Sequence, residues 1–337
     1  MNFPNIKDFC NGRDYAQAVD LPIADGQMRN GEIYLANDNR FTESTFSQPL
    51  TTYAVGGWAQ NNLDATLTAL VGTPVLAPQR FTYKVFSNVE AFRSGSTEED
   101  RRAIGSEYKA ATLTNSEASG ELVDRGLIMA LDKRQLQDGI WTEQKAVDYL
   151  LTRLKINQIR RAHALLVASA TNTAKTWLST FTKDPDTEIL TEVQAYHTAT
   201  GIYPNTVVLG KSAALGRLQQ HRNQATAGAF AGAQMSYAEL ATMLGVRSVS
   251  QIDSAYQSSA TAKTVVGNSI VLVHHREESG LGMDPSNIRY FYGPTPSGQR
   301  VTAFRYEVGS SQVVVGVQHY ELMVIPYTGG IRTLTIS

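Results

Sequence analysis

The longest stretch of uninterrupted helix-forming residues runs from residue 141 to about residue 170, WTEQKAVDYLLTRLKINQIRRAHALLVASA. It contains neither Gly nor Pro and is dense in Ala, Leu, Lys, Gln, Arg and Glu, which all favour helix. Thr142 is placed to cap its N-terminus, and Glu143 follows in the first turn, where a negative charge suits the helix dipole. About 28 residues at ~1.5 Å each predict a rod of about 42 Å, over twice the average globular helix.

The chain before this rod divides into three segments. Residues 1–57 carry isolated apolar side chains among Asn, Asp, Gly and Pro, which predicts an extended arm without a core of its own. Residues 58–79 show a short helical pattern that closes at Gly72, followed by extended chain around two prolines. Residues 80–122 alternate apolar and polar positions on both sides of a charged turn, which predicts a long two-stranded excursion. Because an isolated hairpin is marginally stable, this excursion must lie on another surface.

The rod is predicted to belong to a domain spanning residues 123–183, with the rod itself at 141–172. Residues 122–139, LVDRGLIMALDKRQLQDG, are predicted to form a helix that leads into it. Beyond the rod, Trp177 and Phe181 are expected to anchor a hydrophobic core.

Residues 184–277 alternate short helices and strands, which predicts a compact α/β unit. Asp184 followed by Pro185 is a typical helix start, and Ser236 with Glu239 has the spacing of a capping box. Residues 278–337 then turn to apolar strands, RYFYG, VTAFRYEV, SQVVVGVQHYELMVIP and IRTLTIS. We expect all four strands to pack beside the rod.

Composition narrows the functional classes. The 337 residues carry a formal net charge of −1, so no basic nucleic-acid-binding footprint is visible. Charged residues make up 18%, below the roughly 25% of typical soluble domains, and a low-charge surface suits large protein–protein contacts. Cys10 is the only cysteine, which excludes a disulfide within the chain, and no apolar run is long enough to span a membrane.

Candidate catalytic and metal motifs are weak. Lys211 and Ser212 follow a predicted strand, but a phosphate-binding loop requires a glycine where Asn205 stands. His274 and His275 are adjacent on a predicted strand and therefore point to opposite faces, so we interpret them as a strand end meeting solvent rather than as metal ligands. We therefore predict no catalytic residue, no metal and no cofactor, and a protein that is not an enzyme.

Two charged clusters are more typical of protein contacts. Arg101 and Arg102 adjoin Glu98, Glu99 and Asp100 at the tip of the excursion. On the rod, Arg153, Arg160 and Arg161 with Lys155 predict a modestly basic face, directed to a neighbouring subunit or to an interior.

The order of these parts resembles the major capsid protein of tailed double-stranded DNA phages, whose fold is shared with encapsulins. The resemblance rests on the excursion RFTYKVFSNVEAFRS…STEEDRRAIGSEYKAATLTN, on the rod, and on TGIYPNTVVLGKSAALGRL in the α/β unit. It implies an α+β capsid fold with an N-arm at 1–57, an E-loop at 80–122, a spine helix at 141–172, an axial domain at 184–277 and a β-sheet peripheral domain.

The resemblance also implies a function and partners. The chain is expected to self-assemble through pentamers and hexamers into an icosahedral shell around double-stranded DNA, without sequence-specific contact. Because the sequence begins at Met1 without a coiled-coil scaffolding segment, a separate scaffolding protein is expected. A portal and a decoration protein are further candidate partners. Assembly is expected in the bacterial host cytoplasm, and the final location is the virion.

The candidate inter-subunit contacts lie on three segments: the excursion, the rod and the Gly/Ala-rich loop at 223–234. They are Lys84, Glu98, Glu99, Asp100, Arg101, Arg102, Lys109, Arg160, Arg161 and Phe230.

Three other interpretations remain at this stage. An encapsulin-like nanocompartment would keep the fold, although encapsulins usually begin with a cargo-binding helix rather than an extended arm. A soluble α/β enzyme would place its site near Lys211 or His274. A phage tail or decoration protein would usually be shorter and mostly β.

Overall fold

The computed structural model describes residues 28–29, 32–33, 46–60, 63–85, 101–102, 116–179, 182–223, 232, 234–259, 261–276 and 285–337. Within these residues the helices are α1 (Gln48–Gln60), α2 (Leu63–Val71), α3 (Lys133–Gln137), α4 (Glu143–Ala168), α5 (Pro185–Thr200), α6 (Lys211–Asn223) and α7 (Tyr237–Leu244). The first strands are β1 (Met28–Arg29), β2 (Glu32–Ile33), β3 (Val75–Leu76), β4 (Arg80–Val85), β5 (Ser116–Glu121), β6 (Val123–Asp132), β7 (Thr171–Lys175) and β8 (Thr206–Gly210). The remaining strands are β9 (Ser248–Ile252), β10 (Ala255–Gln257), β11 (Lys263–Val265), β12 (Ile270–His274), β13 (Arg289–Gly293), β14 (Thr302–Val308), β15 (Gln312–Val324) and β16 (Arg332–Ile336).

The predicted rod is confirmed as helix α4, which is 26 residues long. The Thr142 side chain caps it by accepting a hydrogen bond from the Lys145 amide at 3.2 Å. The helix ends at Ala168 instead of continuing to 172, because the chain enters strand β7 at Thr171. One face of α4 is buried, through Ala146, Val147, Leu150, Leu151, Leu154, Ile159, Ala162 and Leu166.

The long helix packs on a sheet centred on the 13-residue strand β15. Strand β15 pairs with β14 and β13 along one edge and with β6 along the other, and β3 runs parallel to β13. The prediction of a helix over 122–139 is wrong: residues 123–132 form strand β6, and only 133–137 are helical. In β6, Leu127 and Met129 pack on the core while Ile128 between them is exposed. This alternation and the ladder to β15 outweigh the local helix propensity.

The predicted extended arm is also wrong over its last ten residues. Residues 48–57 belong to helix α1, which places Leu50, Ala54 and Trp58 in the core against α4. The Thr51 hydroxyl donates a hydrogen bond to the Ala303 carbonyl at 3.1 Å and ties α1 to strand β14. The helical pattern predicted from residue 58 therefore belongs to two helices, α1 and α2, and not to one.

The predicted α/β unit contains a five-stranded sheet in the order β7-β16-β12-β8-β9. Asp184 caps α5 with Pro185 in its first turn, and the Ser236–Glu239 capping box opens α7. Trp177 is buried in its core, as predicted, whereas Phe181 lies outside the described residues.

Strand β16 corrects the domain boundary predicted at 278–337. It lies in the α/β sheet, parallel to β7 and antiparallel to β12, and not beside the other closing strands. Strand β7, predicted to belong to the domain at 123–183, is in this sheet as well. Leu334 and Ile336 fill the core of the α/β unit while Ile331 contacts a second cluster that reaches α4. A strand buried on both faces has the same sequence pattern in either sheet, so only the long-range pairing decides its place.

Candidate functional site

The base of the predicted excursion is a two-stranded hairpin fastened to the first sheet. Strands β4 and β5 pair antiparallel from Arg80 opposite Glu121 to Val85 opposite Ser116. The Phe81 ring lies 4.5 Å from the Phe291 ring of β13, measured between centroids. The prediction of an excursion resting on another surface is thereby confirmed at its base.

Gly120 of β5 permits this close approach. A Cβ atom there would lie 2.9 Å from both the Leu322 side chain and the Phe81 ring. The hairpin base therefore has a fixed orientation on the sheet, set by aromatic packing and a glycine contact.

The residues predicted to make inter-subunit contacts are only partly covered by the structure. Lys84 lies on the exposed face of β4, and Arg101 and Arg102 are exposed. Five others lie outside the described residues, namely Glu98, Glu99, Asp100, Lys109 and Phe230. The inter-subunit roles of all these residues stay predictions.

Arg160 and Arg161 follow each other on α4 but have different surroundings. The Arg161 guanidinium donates to the Glu321 carboxylate of β15 within the subunit. The Arg160 guanidinium carbon lies 3.8 Å from the centroid of the Tyr256 ring of β10. Arg153 lies over the Tyr149 ring at 5.6 Å. Of the three arginines of the predicted basic face, one therefore forms an intramolecular ion pair and the other two lie over tyrosine rings.

Glu321 is the centre of a buried polar cluster between α4 and the first sheet. Its carboxylate accepts a hydrogen bond from Gln158 at 2.5 Å and also from Arg161. It lies 3.1 Å from Arg125 Nε and 3.2 Å from His319 Nε2. Burial alone would raise the pKa of Glu321, but His319, Arg161 and Gln158 outweigh it and lower the pKa to about 2. Glu321 is therefore ionised in the folded protein at neutral pH.

Lys155 is buried, which corrects its prediction as part of the modestly basic face of the rod. Its side chain is 0% exposed, and its ammonium is paired with Asp64 of α2. Its Nζ atom also lies 4.1 Å from the centroid of the Trp58 ring. Burial lowers the pKa of Lys155 to about 8, and the hydrogen bond and charge of Asp64 offset only part of that effect. The methylene chain of a lysine can cross a buried helix face, so its position on α4 alone does not reveal its burial.

Replacing Lys155 with Met should change how stability depends on alkaline pH. The pKa of Lys155 is lowered from 10.5 to about 8 in the folded state, so the unfolded chain binds more protons between these values. The free energy of unfolding of the wild type should therefore rise by about 3 kcal/mol relative to that of Lys155→Met as the pH rises from about 8 to 10.5. Urea unfolding at several pH values measures the difference. The exposed Lys145→Met serves as the control, and equal pH profiles for the wild type and both variants would contradict the expectation.

A second buried charge cluster ties α5 to α6. Asp186 accepts hydrogen bonds from Arg217 Nε at 2.5 Å and Nη2 at 2.8 Å, and it lies 3.0 Å from His221 Nε2. Arg217 also donates to the Gly232 carbonyl at 3.2 Å, near the end of the Gly/Ala-rich segment. Sequence reasoning missed this cluster. Its signal was an acid in the first turn of one helix and an Arg/His pair four residues apart on the next.

The turn at Lys211 and Ser212 joins strand β8 directly to helix α6. The Ser212 amide donates to the Asn268 carbonyl at 2.8 Å, and the Ala213 amide donates to the same oxygen at 3.2 Å. The amides that a phosphate would need are thus engaged by Asn268. This arrangement agrees with the prediction of a strand-to-helix turn.

His274 is fully buried, so the prediction of a solvent-facing strand end is wrong for this residue. Its Nε2 atom lies 2.8 Å from the Leu70 carbonyl oxygen of α2. Burial lowers the pKa of His274 to about 3, although the hydrogen bond to the Leu70 carbonyl acts to raise it. The imidazole is therefore neutral at physiological pH. Over the ranges that the structure describes, no group of three His, Cys, Asp or Glu side chains is arranged to hold a metal ion. In those same ranges, no helix is both long and apolar enough to cross a membrane.

Comparison with known proteins finds similar folds among solved structures. No family model matches the chain, and no curated protein is significantly similar in sequence. Among solved structures, a phage-related protein from Bordetella bronchiseptica RB50 is similar with a TM-score of 0.61 at 12% identity, covering 86% of this chain and 97% of that one. A virus-like particle from Pyrococcus furiosus is similar with a TM-score of 0.51 at 11% identity, covering 87% and 100%. The chain shares the fold of these two proteins, and its mixed helices and sheets agree with the α+β fold that the sequence predicted.

Proposed function

We propose that this protein is a structural subunit that self-assembles into a closed shell, as the major capsid protein of a tailed phage. The observation that supports this most directly is the hairpin β4–β5. Its base is held to the sheet by Phe81 and Gly120, while the long polar segment beyond it has too few apolar residues for a core. A segment of this kind gains stability only when a neighbouring surface supplies the missing burial. The particle formed by the Pyrococcus furiosus protein of similar fold agrees with this role.

In this proposal each part of the chain has an assembly role. Residues 1–57 include the N-arm, although α1 within them packs on the subunit's own α4. Residues 80–122 are the E-loop, α4 is the spine helix, and the α/β unit is the axial domain. Copies form pentamers and hexamers through heterologous contacts that close on themselves. The shell encloses double-stranded DNA in the virion, after assembly in the host cytoplasm with a scaffolding protein and a portal, and a decoration protein is a further candidate partner.

Removing the outer part of the excursion should abolish assembly without unfolding the subunit. Because Val85 pairs with Ser116, a two-residue Asn-Gly turn can replace residues 86–115 and close the hairpin. We expect a folded, unassembled subunit, because the anchored base is retained and the contact with the neighbour is lost. Circular dichroism and urea unfolding check the fold, and negative-stain electron microscopy checks for particles. Closed shells of normal size from this variant would contradict the proposed role of the segment.

An encapsulin-like shell is the second candidate, and one observation favours it. Residues 48–57, the last ten of the arm that was predicted to be extended and that argued against a nanocompartment, are helical in α1. The contents of purified particles separate the two candidates: nuclease-protected DNA indicates a capsid, whereas a co-purifying protein without DNA indicates a nanocompartment.

A further inference from the structure

A cleft of about 550 Å³ separates α4 from the β10–β11 hairpin. Its walls include Asn157, Arg160, Arg161, His163, Tyr256 and Gly267. The hairpin register places Tyr256 opposite Thr264, so both strands contribute to one wall and α4 forms the other.

The lining of this cleft is basic. Among the residues that the structure describes, none that lines the cleft is acidic, and two of them are the consecutive arginines of α4. Glu321 partly neutralises Arg161, which leaves Arg160 as the exposed cation of the cleft. A guanidinium stacked over an aromatic ring keeps the N–H groups at its edge available for an oxyanion. The stack of Arg160 on Tyr256, at 3.8 Å, therefore presents such donors at the cleft.

The floor of the cleft holds Arg160 and Tyr256 in place. Tyr256 packs against the hydrophobic cluster that joins α4 to the α/β sheet. His163 is only 9% exposed, and a Cβ atom on Gly267 would lie within 2.3 Å of its Nε2 atom. The backbone of Gly267 has a φ of 60°, which glycine adopts without strain. This close contact between the helix and the turn after β11 fixes the distance between the two walls.

We propose that this cleft binds a phosphate group of the nucleic acid backbone. The inference rests on the proposed function, because it states how the shell wall would contact the enclosed genome. Positive charge without a facing carboxylate suits a phosphodiester, and the Tyr256 ring offers a surface for the adjoining sugar or base. Phosphate contacts carry no sequence information, so this site agrees with a genome held without sequence-specific contact.

The test compares Arg160→Gln with Arg153→Gln in the full chain. Both arginines are exposed on α4 and lie over a tyrosine ring. They are seven positions apart, which corresponds to about two helical turns, so they share a face. Each variant loses one positive charge, but only Arg160 lines the cleft. Fluorescence anisotropy with a labelled random-sequence DNA duplex measures the affinity at several salt concentrations.

We expect Arg160→Gln to weaken DNA binding several-fold and to reduce the slope of log K against log salt by about 0.9, the value for one lost phosphate contact. Arg153→Gln should bind as the wild type does. Tyr256→Leu, which preserves the net charge and most of the apolar bulk, should also weaken binding. Inorganic phosphate should compete with DNA on the wild type more effectively than on Arg160→Gln.

Two outcomes would overturn the inference. Equal losses in Arg160→Gln and Arg153→Gln would show that only the general charge of the helix face matters. Loss of particles in Arg160→Gln with unchanged DNA affinity would show that a neighbouring subunit occupies the cleft. Electron microscopy of the wild type separates this failure from that of the proposed function. If the wild type forms particles and the two variants bind DNA equally, the shell proposal is supported and the phosphate site is not. If the wild type forms no particles but Arg160→Gln alone weakens DNA binding, the shell proposal is wrong and the phosphate site is supported.

Discussion

Replacing Glu321 with Gln is expected to lower the free energy of unfolding by about 3 kcal/mol at pH 7. The carboxylate is 2% exposed and lies between Arg125 and Arg161, so its neutralisation leaves these two guanidinium groups facing each other without a counter-charge. Removing one partner of a buried ion pair costs far more than removing an exposed pair. Urea unfolding of the unassembled subunit measures the change.

The same variant should be less sensitive to acid. The pKa of Glu321 is lowered from 4.5 to about 2 in the folded state, so its stabilising contribution is present above pH 4.5 and is lost as the pH falls towards 2. Over this pH range the free energy of unfolding of the wild type should fall by about 3 kcal/mol more than that of Glu321→Gln. Glu307→Gln is the matched control, since that carboxylate pairs with Lys133 and Arg305 but is 46% exposed. If Glu321→Gln lowers the free energy of unfolding at pH 7 as little as Glu307→Gln does, the stability of the buried cluster does not depend on the charge of Glu321.

Replacing Asp186 with Asn is expected to cost about 3 kcal/mol as well, again because a buried cation loses its partner. Arg217 is 6% exposed in its side chain and donates two hydrogen bonds to Asp186, so an amide leaves its charge uncompensated. Urea unfolding with tryptophan fluorescence is a suitable measurement, because buried Trp177 lies in the core of the same unit.

A double variant tests whether unpaired charge is the cause. Asp186→Leu combined with Arg217→Met removes both charges and keeps similar volume, so it should be more stable than Asp186→Asn alone. If the double variant is the less stable of the two, the packing shape and the contact with Gly232 matter more than the charge.

The elements that sequence predicted correctly are those whose ends are encoded locally. Thr142, Asp184 with Pro185, and Ser236 with Glu239 each satisfy free amides at a helix start within a few residues. Such signals do not depend on the rest of the fold, so the starts of α4, α5 and α7 were predicted from them.

The elements that sequence mispredicted are decided by distant partners. Residues 123–132 contain good helix formers, yet their ladder to residues 312–321 makes them a strand. Residues 48–57 show too few apolar positions to predict a helix, and it is the surface of α4 that buries Leu50 and Ala54. In each case the stabilising contact comes from a segment that local pattern does not include.

The buried charges escaped sequence reasoning for the same reason. A lysine or arginine on a helix is usually solvated, and nothing near Lys155 or Arg161 in the sequence indicates burial. Their partners, Asp64 and Glu321, are 91 and 160 residues away along the chain. Only the fold brings these groups together.

The position of strand β16 has a consequence for the order of events during synthesis. Residues 332–336 fill the place between β7 and β12, which were made about 160 and about 60 residues earlier. Until they leave the ribosome, the sheet has two facing strand edges without hydrogen-bond partners. The α/β unit therefore completes its sheet only after residues 332–336 have been synthesised. Because strand pairing over such long sequence separations slows folding, we expect the closure of this sheet to be a slow step in the folding of the subunit.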